Sequence, residues 1–241
     1  IETSKPQFQE ILNAHAIEHQ KLFDRVVFSL SDHSSTSLPA ECEDLESLLL
    51  LPYKGQIPAA FFELMFYFGR FLLICSSRPG GWPVNLQGVW NGNYYPAWSS
   101  DYHNDENVQM CYWAALPGNL AETTLPYFDY YEACIPDCQR NAQAVFGCRG
   151  IFLPIAQTIK GFAPLYGGPW LNWTAGAGWM AQLFYDYWLF THDEAFLRNR
   201  ALPYLKEVAL FYEDFMFKGE DGKYVFRSEE RRVGKECRSR W

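Results

Sequence analysis

The sequence predicts an all-α protein, a helical toroid or bundle, and three observations predict it. Apolar residues recur at spacings of three and four through most of the chain. Gly- and Pro-rich stretches interrupt that period, and the interruptions alternate between short and long. A strand signal appears only near the C-terminus, where a turn over Glu220-Asp221-Gly222-Lys223 precedes Tyr224-Val225-Phe226, the start of a short β-hairpin. No repeat of fixed period is present.

In chain order, residues 6–27 carry Phe8, Ile11, Leu12, His15, Leu22, Phe23, Val26 and Val27 at amphipathic-helix spacing. Residues 28–56 are polar and read as loop. Pro58 then opens a helix that is apolar on nearly every side, from Phe61 to Leu73, so burial between other helices is expected. Residues 76–105 are dense in Gly, Pro, Asn, Trp and Tyr, and a long irregular stretch of this kind is usually functional. A short helical run follows at Asn107–Leu116. Asn119 with Glu122 resembles a capping box for a helix that reaches Val145, bends at Pro136 and stops at Gly147. A second Gly/Pro/Trp-rich loop covers residues 148–176. Helices are expected over residues 177–191 and 194–217, the latter capped by Asp193.

Composition narrows the function. The chain has 241 residues and a formal charge of −8, without a basic stripe outside its last residues, which argues against nucleic acid as a partner. The longest apolar run, Ile57–Cys75, is broken by Pro58, Glu63, Gly69 and Arg70 and reads as a buried helix rather than a membrane span. Seven scattered cysteines in a chain of this size do not form a disulfide framework and read as buried thiols. His15 and His19 share a helix face, but no carboxylate completes a metal site, and no cofactor motif is present. Ser228–Trp241 departs from the rest. Its five basic residues against three acidic ones give it +2 and leave −10 for the remainder, and the apolar period stops. The expected organisation is therefore a partial catalytic domain over residues 1–227 and a non-native read-through tail over residues 228–241.

Aromatic residues make up 18% of the chain, and the loop from Arg78 to Trp113 concentrates them among amides and acids. Asn85, Gln87, Asn91, Asn104, Asn107 and Gln109 supply paired donors and acceptors that suit vicinal hydroxyls. Trp82, Trp90, Trp98, Tyr102 and Trp113 supply faces for the apolar side of a pyranose, and Asp101, Asp105 and Glu106 supply carboxylates. Two readings stand at this point: a sugar site, or rings that pack a core and amides that tie a loop together.

A resemblance favours the first. Asn85-Leu86-Gln87-Gly88-Val89-Trp90-Asn91 resembles a signature of glycoside hydrolase family 95, and Tyr102–Trp113 resembles the block that follows it. Phe68–Ile74 with Ser76–Gly80, Phe146–Gly150 and Trp173–Phe190 are similar to further blocks of that family, in the same order. The resemblance implies an incomplete (α/α)6 barrel and an inverting exo-glycosidase acting on terminal α-L-fucosides or α-L-galactosides. Such an enzyme needs an acid and a base roughly 6.5–9.5 Å apart. It implies no cofactor, a fucosylated glycan as substrate, and positions 105 and 107 as an Asn-x-Asn pair that assists the base. Here Asp105 stands where the first Asn is expected and adds a negative charge, while Asn107 keeps its place. Cys111 replaces a further expected Asn.

The substrate-binding residues implied are Asn85, Gln87, Trp90, Asn91, Trp98, Tyr102, His103, Glu106, Gln109, Trp170 and Trp173. The family's acid is a Glu in a Ser-Pro-Glu-Asn motif after a strand like Lys223–Phe226. Glu229 and Glu230 lack those flanks, so the general acid and base are expected to be absent and this polypeptide is expected not to turn over. The alternatives are a non-catalytic sugar-binding half-barrel and an unstable fragment that self-associates through exposed apolar helix faces.

Overall fold

The computed structural model describes residues 8–30, 44–55, 57–161 and 173–226. They form helices α1 (Phe8–Phe23), α2 (Leu45–Leu50), α3 (Ala59–Ser76), α4 (Asn107–Tyr112), α5 (Leu125–Ala133), α6 (Ile135–Asn141), α7 (Gly176–Thr191), α8 (Glu194–Phe196) and α9 (Leu202–Phe215). Four short strands pair as two antiparallel ribbons, β1 (Tyr102–His103) with β2 (Ala156–Gln157) and β3 (Met216–Lys218) with β4 (Tyr224–Phe226). The chain divides into two compact units, one of Ile1–Pro83 with Tyr112–Pro126 and one of Val84–Cys111 with Tyr127–Trp241.

In the first unit α1 ends at Phe23, four residues short of the expected boundary. The Arg70 guanidinium explains the stop. It donates to the carbonyls of Leu22 (2.8 Å) and Phe23 (3.2 Å), and to that of Gly118, satisfying acceptors that a helix terminus leaves open. Beyond it Phe28 donates its N–H to the Tyr67 hydroxyl (2.8 Å) and Leu30 to Glu63 Oε1 (2.7 Å). The stretch read as loop contains α2, whose N-cap Asp44 accepts from Ser47 N–H (2.7 Å). Leu48 and Leu51 pack there on Phe61 and Leu64.

Two expectations are corrected in this unit. Helix α3 runs unbroken through Glu63, Gly69 and Arg70, and by length and composition alone it is apolar enough to cross a membrane. It is not buried all round. Arg70, Leu73, Ile74 and Ser76 face inward, while Phe62, Met65, Phe68 and Phe71 stay exposed. Nor does the capping box form. Asn119 adopts φ 54°, the following turn over Ala121–Thr124 has no side-chain cap, and Glu122 pairs with Arg25 (2.7 Å) instead.

The second unit holds an aromatic core. Phe184 of α7 stacks on Tyr204 of α9 with centroids 4.2 Å apart, and Phe128 of α5 meets Phe184 at 4.6 Å and Phe196 at 4.7 Å. Arg200 ties this layer down by pairing with Asp129 (2.6 Å) and Glu132 (2.8 Å) while lying over the Phe128 and Phe196 rings. A second cluster joins Phe146, Phe152, Phe211 and Phe215.

The helix expected to bend at Pro136 is divided at Cys134, with Pro136 in the first turn of α6, and it closes at Gly147 with φ 65°. The Phe146–Gly150 block is tied to α9. Arg149 grips Asp214 and Glu213, and Gly150 lies so close to α9 that a Cβ would come within 2.1 Å of the Glu207 carbonyl oxygen. Asp193 caps α8 as expected, accepting from Phe196 N–H at 2.9 Å. Cys134, Cys138 and Cys148 are buried and Cys75 half-buried, but Cys111 is exposed, contrary to expectation; Cys42 and Cys237 lie outside the described residues.

Candidate active site

The site region lies in the second unit, on the turn from Asp101 to Gln109, and it is built from beneath. Asn104 is fully buried. Its N–H donates to the Ile155 carbonyl (2.7 Å), its Nδ2 donates to the Pro154 carbonyl (2.7 Å) and Gln157 Oε1 (3.1 Å), and its Oδ1 accepts from the Tyr131 hydroxyl (2.7 Å). Gln157 Nε2 donates in turn to the Tyr130 hydroxyl (2.8 Å), which donates to the Thr158 carbonyl. Every polar group of the Asn104 side chain is thereby spent inside the protein, as burial requires. Burial pushes the Tyr130 hydroxyl well above its usual range and the Tyr102 hydroxyl up to about 12, so both remain neutral.

Gln109, expected to hold substrate, is a structural clip instead. It is buried, its Nε2 donates to the Asn104 carbonyl (2.6 Å), and its Oε1 accepts from Glu106 N–H (3.0 Å). That clip fixes Glu106 at φ 137°, a conformation L-residues rarely adopt, at a cost on the order of 1–3 kcal/mol. Tyr102 is likewise buried, with its ring 4.6 Å from that of Tyr130, so it supports the turn rather than touching solvent.

Above these buried groups Glu106 and Asn107 are exposed, and Asp105 is half-buried with Oδ1 lacking a protein partner. His103 Nε2 lies 3.0 Å from Asp101 Oδ1, and burial raises the Asp101 carboxyl above its ordinary range against the pull of His103. The region therefore sets three carboxylates, an amide and an imidazole along one short, clamped turn, a set suited to holding a polar ligand and a water molecule.

The loop before it is also tied. Asn85 Oδ1 accepts from Gln87 N–H (2.9 Å) and the Ser100 hydroxyl (3.3 Å), Gln87 Nε2 donates to the Ala97 carbonyl (3.3 Å), and Leu86 N–H donates to the Asp101 carbonyl (3.2 Å). Asn91 closes a small turn by accepting from Asn93 N–H (3.0 Å). Asn85 Oδ1 and Gln87 Nε2 are thus engaged by the loop itself, although both residues were expected to bind substrate, while Gln87 Oε1 is enclosed without a partner. The Trp90 ring lies against Gly88, where a Cβ would come within 2.6 Å of it. Trp98, Ser99 and Ser100 are successive left-handed residues, with φ 48°, 57° and 52°.

Trp90 and Trp98 are exposed. Trp173 is half-buried, 6.5 Å from Trp179, and Trp170 lies outside the described residues. Sequence reasoning did not single out Gln157, Tyr130 or Tyr131. The only signal for them is the pairing of Tyr102 with Gln157 across the two strands, a contact between distant segments that periodicity does not report.

Comparison with known proteins agrees with this architecture. A putative kojibiose phosphorylase from the human microbiome superposes with a TM-score of 0.55 at 18% identity, covering 68% of this chain and 24% of that one. The fold class is all-α, an incomplete (α/α)6 barrel. A model of the glycosyl hydrolase family 95 catalytic domain matches residues 7–231, and the chain belongs to that family. Alpha-L-fucosidase 2 of Arabidopsis thaliana is 33% identical over 220 residues, which are 90% of this chain and 26% of that protein. Probable alpha-fucosidase A of Aspergillus niger is 31% identical over 229 residues, 92% of this chain and 28% of that protein. The chain thus spans about a quarter of the length of these relatives.

Proposed function

We propose that the chain supplies the fucoside-recognising and water-positioning part of an inverting α-L-fucosidase site. The observation that carries this reading is the Asp101–Gln109 turn, clamped below by Asn104 and Gln109 and presenting Asp105, Glu106 and Asn107 above. Rigid support beneath exposed polar groups favours binding, because the ligand does not have to order them. Asn107 offers an amide donor and acceptor to the attacking water. Asp105 Oδ1 is enclosed without a protein hydrogen bond, so it serves the site through a water molecule held within the turn rather than by touching the sugar. His103 and Glu106 face the remaining hydroxyls, and Trp90, Trp98 and Trp173 offer faces to the apolar side of the ring. Hydrolysis by inversion requires a protonated acid on the opposite side of the glycosidic bond. Glu229 and Glu230, the nearest candidates in sequence, lie outside the described residues.

A second reading, sugar binding without hydrolysis, is favoured by Asp105 and Cys111, each standing where the resemblance expects an amide. One experiment separates the two. The polypeptide is incubated with an aryl α-L-fucoside, and both release of the aryl group and binding of L-fucose are measured. Under the first reading the chain alone binds L-fucose without release, the chain complemented with the rest of a family 95 catalytic domain releases the aryl group, and Asn107→Ala lowers that rate at least tenfold. Under the second, L-fucose binds without release in both cases and Asp105→Ala weakens binding by a similar factor. Neither binding nor release would overturn both.

A further inference from the structure

Where α5 passes into α6 the chain carries a pair of cysteines that the sugar site does not use. Cys138 N–H donates to the Cys134 carbonyl (2.9 Å), so the two residues stand one helical turn apart on one face. Both are buried. Gly161 sits over them. A Cβ on Gly161 would come within 2.9 Å of Cys134 Cβ and 3.0 Å of Cys138 Sγ, and its carbonyl accepts from the Cys138 thiol (3.8 Å). Asn141 Nδ2 donates to the same carbonyl (2.6 Å), and Asp137 Oδ2 accepts from Gly161 N–H (3.3 Å).

Spacing and charge decide what the pair can take. Side chains one turn apart on a helix hold their Cβ atoms about 5–6 Å apart, whereas a disulfide needs about 3.5–4.5 Å. A single atom bonded to both sulfurs spans the wider separation. Burial holds the Cys134 thiol up at about 11 and the Cys138 thiol well above its usual range, and the Asp137 carboxylate pushes both the same way. A cation held by two thiolates would leave net negative charge in that buried place. Among the described residues no group of three His, Cys, Asp or Glu side chains is placed to hold a metal. A trivalent organoarsenical meets neither obstacle. Its As=O group forms two As–S bonds, and its oxygen leaves with the two thiol protons as one water. The product is neutral, and no oxidation state changes.

We infer that Cys134 and Cys138 form a dithiol site for a trivalent arsenical, closed by Gly161 and linked through Gln157 to the buried amides beneath the Asp101–Gln109 turn. Gln157 Nε2 donates to Cys134 Sγ (3.9 Å), and Gln157 Oε1 accepts from Asn104 Nδ2 (3.1 Å). The Asn104 carbonyl accepts from Gln109 Nε2 (2.6 Å), the clip that fixes the turn. An arsenic atom on the two sulfurs takes away the Gln157 contact and the space that Gly161 fills, and a close-packed interior passes that displacement on to its neighbours. The inference does not depend on which ligand the turn binds.

The test treats the whole reduced chain with phenylarsine oxide and follows it by intact mass and by NMR of the side-chain amides. The expected adduct is one phenylarsenic group per chain with one water lost. It survives excess 2-mercaptoethanol and is removed by 2,3-dimercaptopropanol, because only a chelating dithiol competes with a chelating pair. Cys134→Ala and Cys138→Ala each lose the monothiol-resistant adduct and Cys111→Ala keeps it, with melting curves checking that each folds. Proteolytic mapping in the parent chain places the arsenic on the peptide that holds both cysteines, so the assignment stands without the variants. Asn141→Ala, which frees the Gly161 carbonyl, speeds loading at least fivefold while alkylation of the buried Cys148 keeps its rate. The Gln157 and Asn104 side-chain amide signals shift on loading. No adduct, one stripped by the monothiol, or one mapped elsewhere would overturn the site. Unmoved Gln157 and Asn104 signals would overturn its link to the turn. Unchanged loading in Asn141→Ala, or an equal acceleration at Cys148, would overturn closure by Gly161.

Discussion

Helices α3 and α5 are both rich in rings, yet they end in opposite states. Helix α5 buries Tyr127, Phe128, Tyr130 and Tyr131, each against rings or polar groups of its own unit. Helix α3 leaves Phe62, Met65, Phe68 and Phe71 in solvent and turns inward only the side that carries Arg70, Leu73 and Ile74. The difference lies in the partners each meets rather than in hydrophobicity. Apolar side chains are stabilised by the water they lose, and α5 loses it to Phe184 and Phe196 while the outer face of α3 does not.

The largest expected effect tests that comparison directly. Phe128→Ala should cost about 3–5 kcal/mol, as loss of a fully buried ring does, whereas Phe68→Ala should cost under about 1 kcal/mol. Urea unfolding followed by far-ultraviolet circular dichroism measures both, and equal costs would break the comparison.

Next is Asn104→Leu, which removes the amide that the Tyr131 hydroxyl and the Pro154 carbonyl bond to and should cost at least about 2 kcal/mol. It should also weaken L-fucose binding by loosening the turn. A stable variant with full binding would show that the turn holds itself.

Arg70→Met should cost about 1–3 kcal/mol, since three helix-end and loop carbonyls lose their donor. It should shorten α1 as judged by amide exchange near Phe23, and unchanged protection there would remove Arg70 from its capping role.

We propose that the exposed α3 face drives self-association, and Phe68→Ser/Phe71→Ser should then shift the chain toward monomer in sedimentation velocity. An unchanged distribution would assign association, if it occurs, to another surface.

The smallest effect is on pH. The Asp101 carboxyl is raised above 3.8 by burial, with His103 opposing, so the folded chain favours the protonated form more than the unfolded chain does. Its contribution is complete below about pH 3.8 and is lost as pH rises through the folded value. Asp101→Asn should therefore flatten the stability curve in that window, and a curve that keeps its slope would assign it to other groups.

Much of the local architecture was legible. Asp193 as a cap, Gly147 as a stop, the turn before Tyr224 and the helical period of α7 and α9 are decided by neighbours within a few residues, and short-range patterns report them. The location of the candidate site was legible through the density of amides, acids and rings between Asn85 and Trp113. The division of labour within it was not. Gln109 and Asn107 both read as ligand-facing amides, two positions apart on one short helix, yet one clips the backbone and the other is exposed.

The sequence by itself determined where helices begin and end at well-marked caps, that the chain would be all-α, and which segment gathers sugar-compatible chemistry. Tertiary structure alone decided which amides stay free, because that depends on Pro154, Gln157 and Tyr131 arriving from distant parts of the chain. It also decided which faces of equally apolar helices are dry. Burial is a property of a pair of surfaces, and the pattern of one helix describes only its own half of that pair.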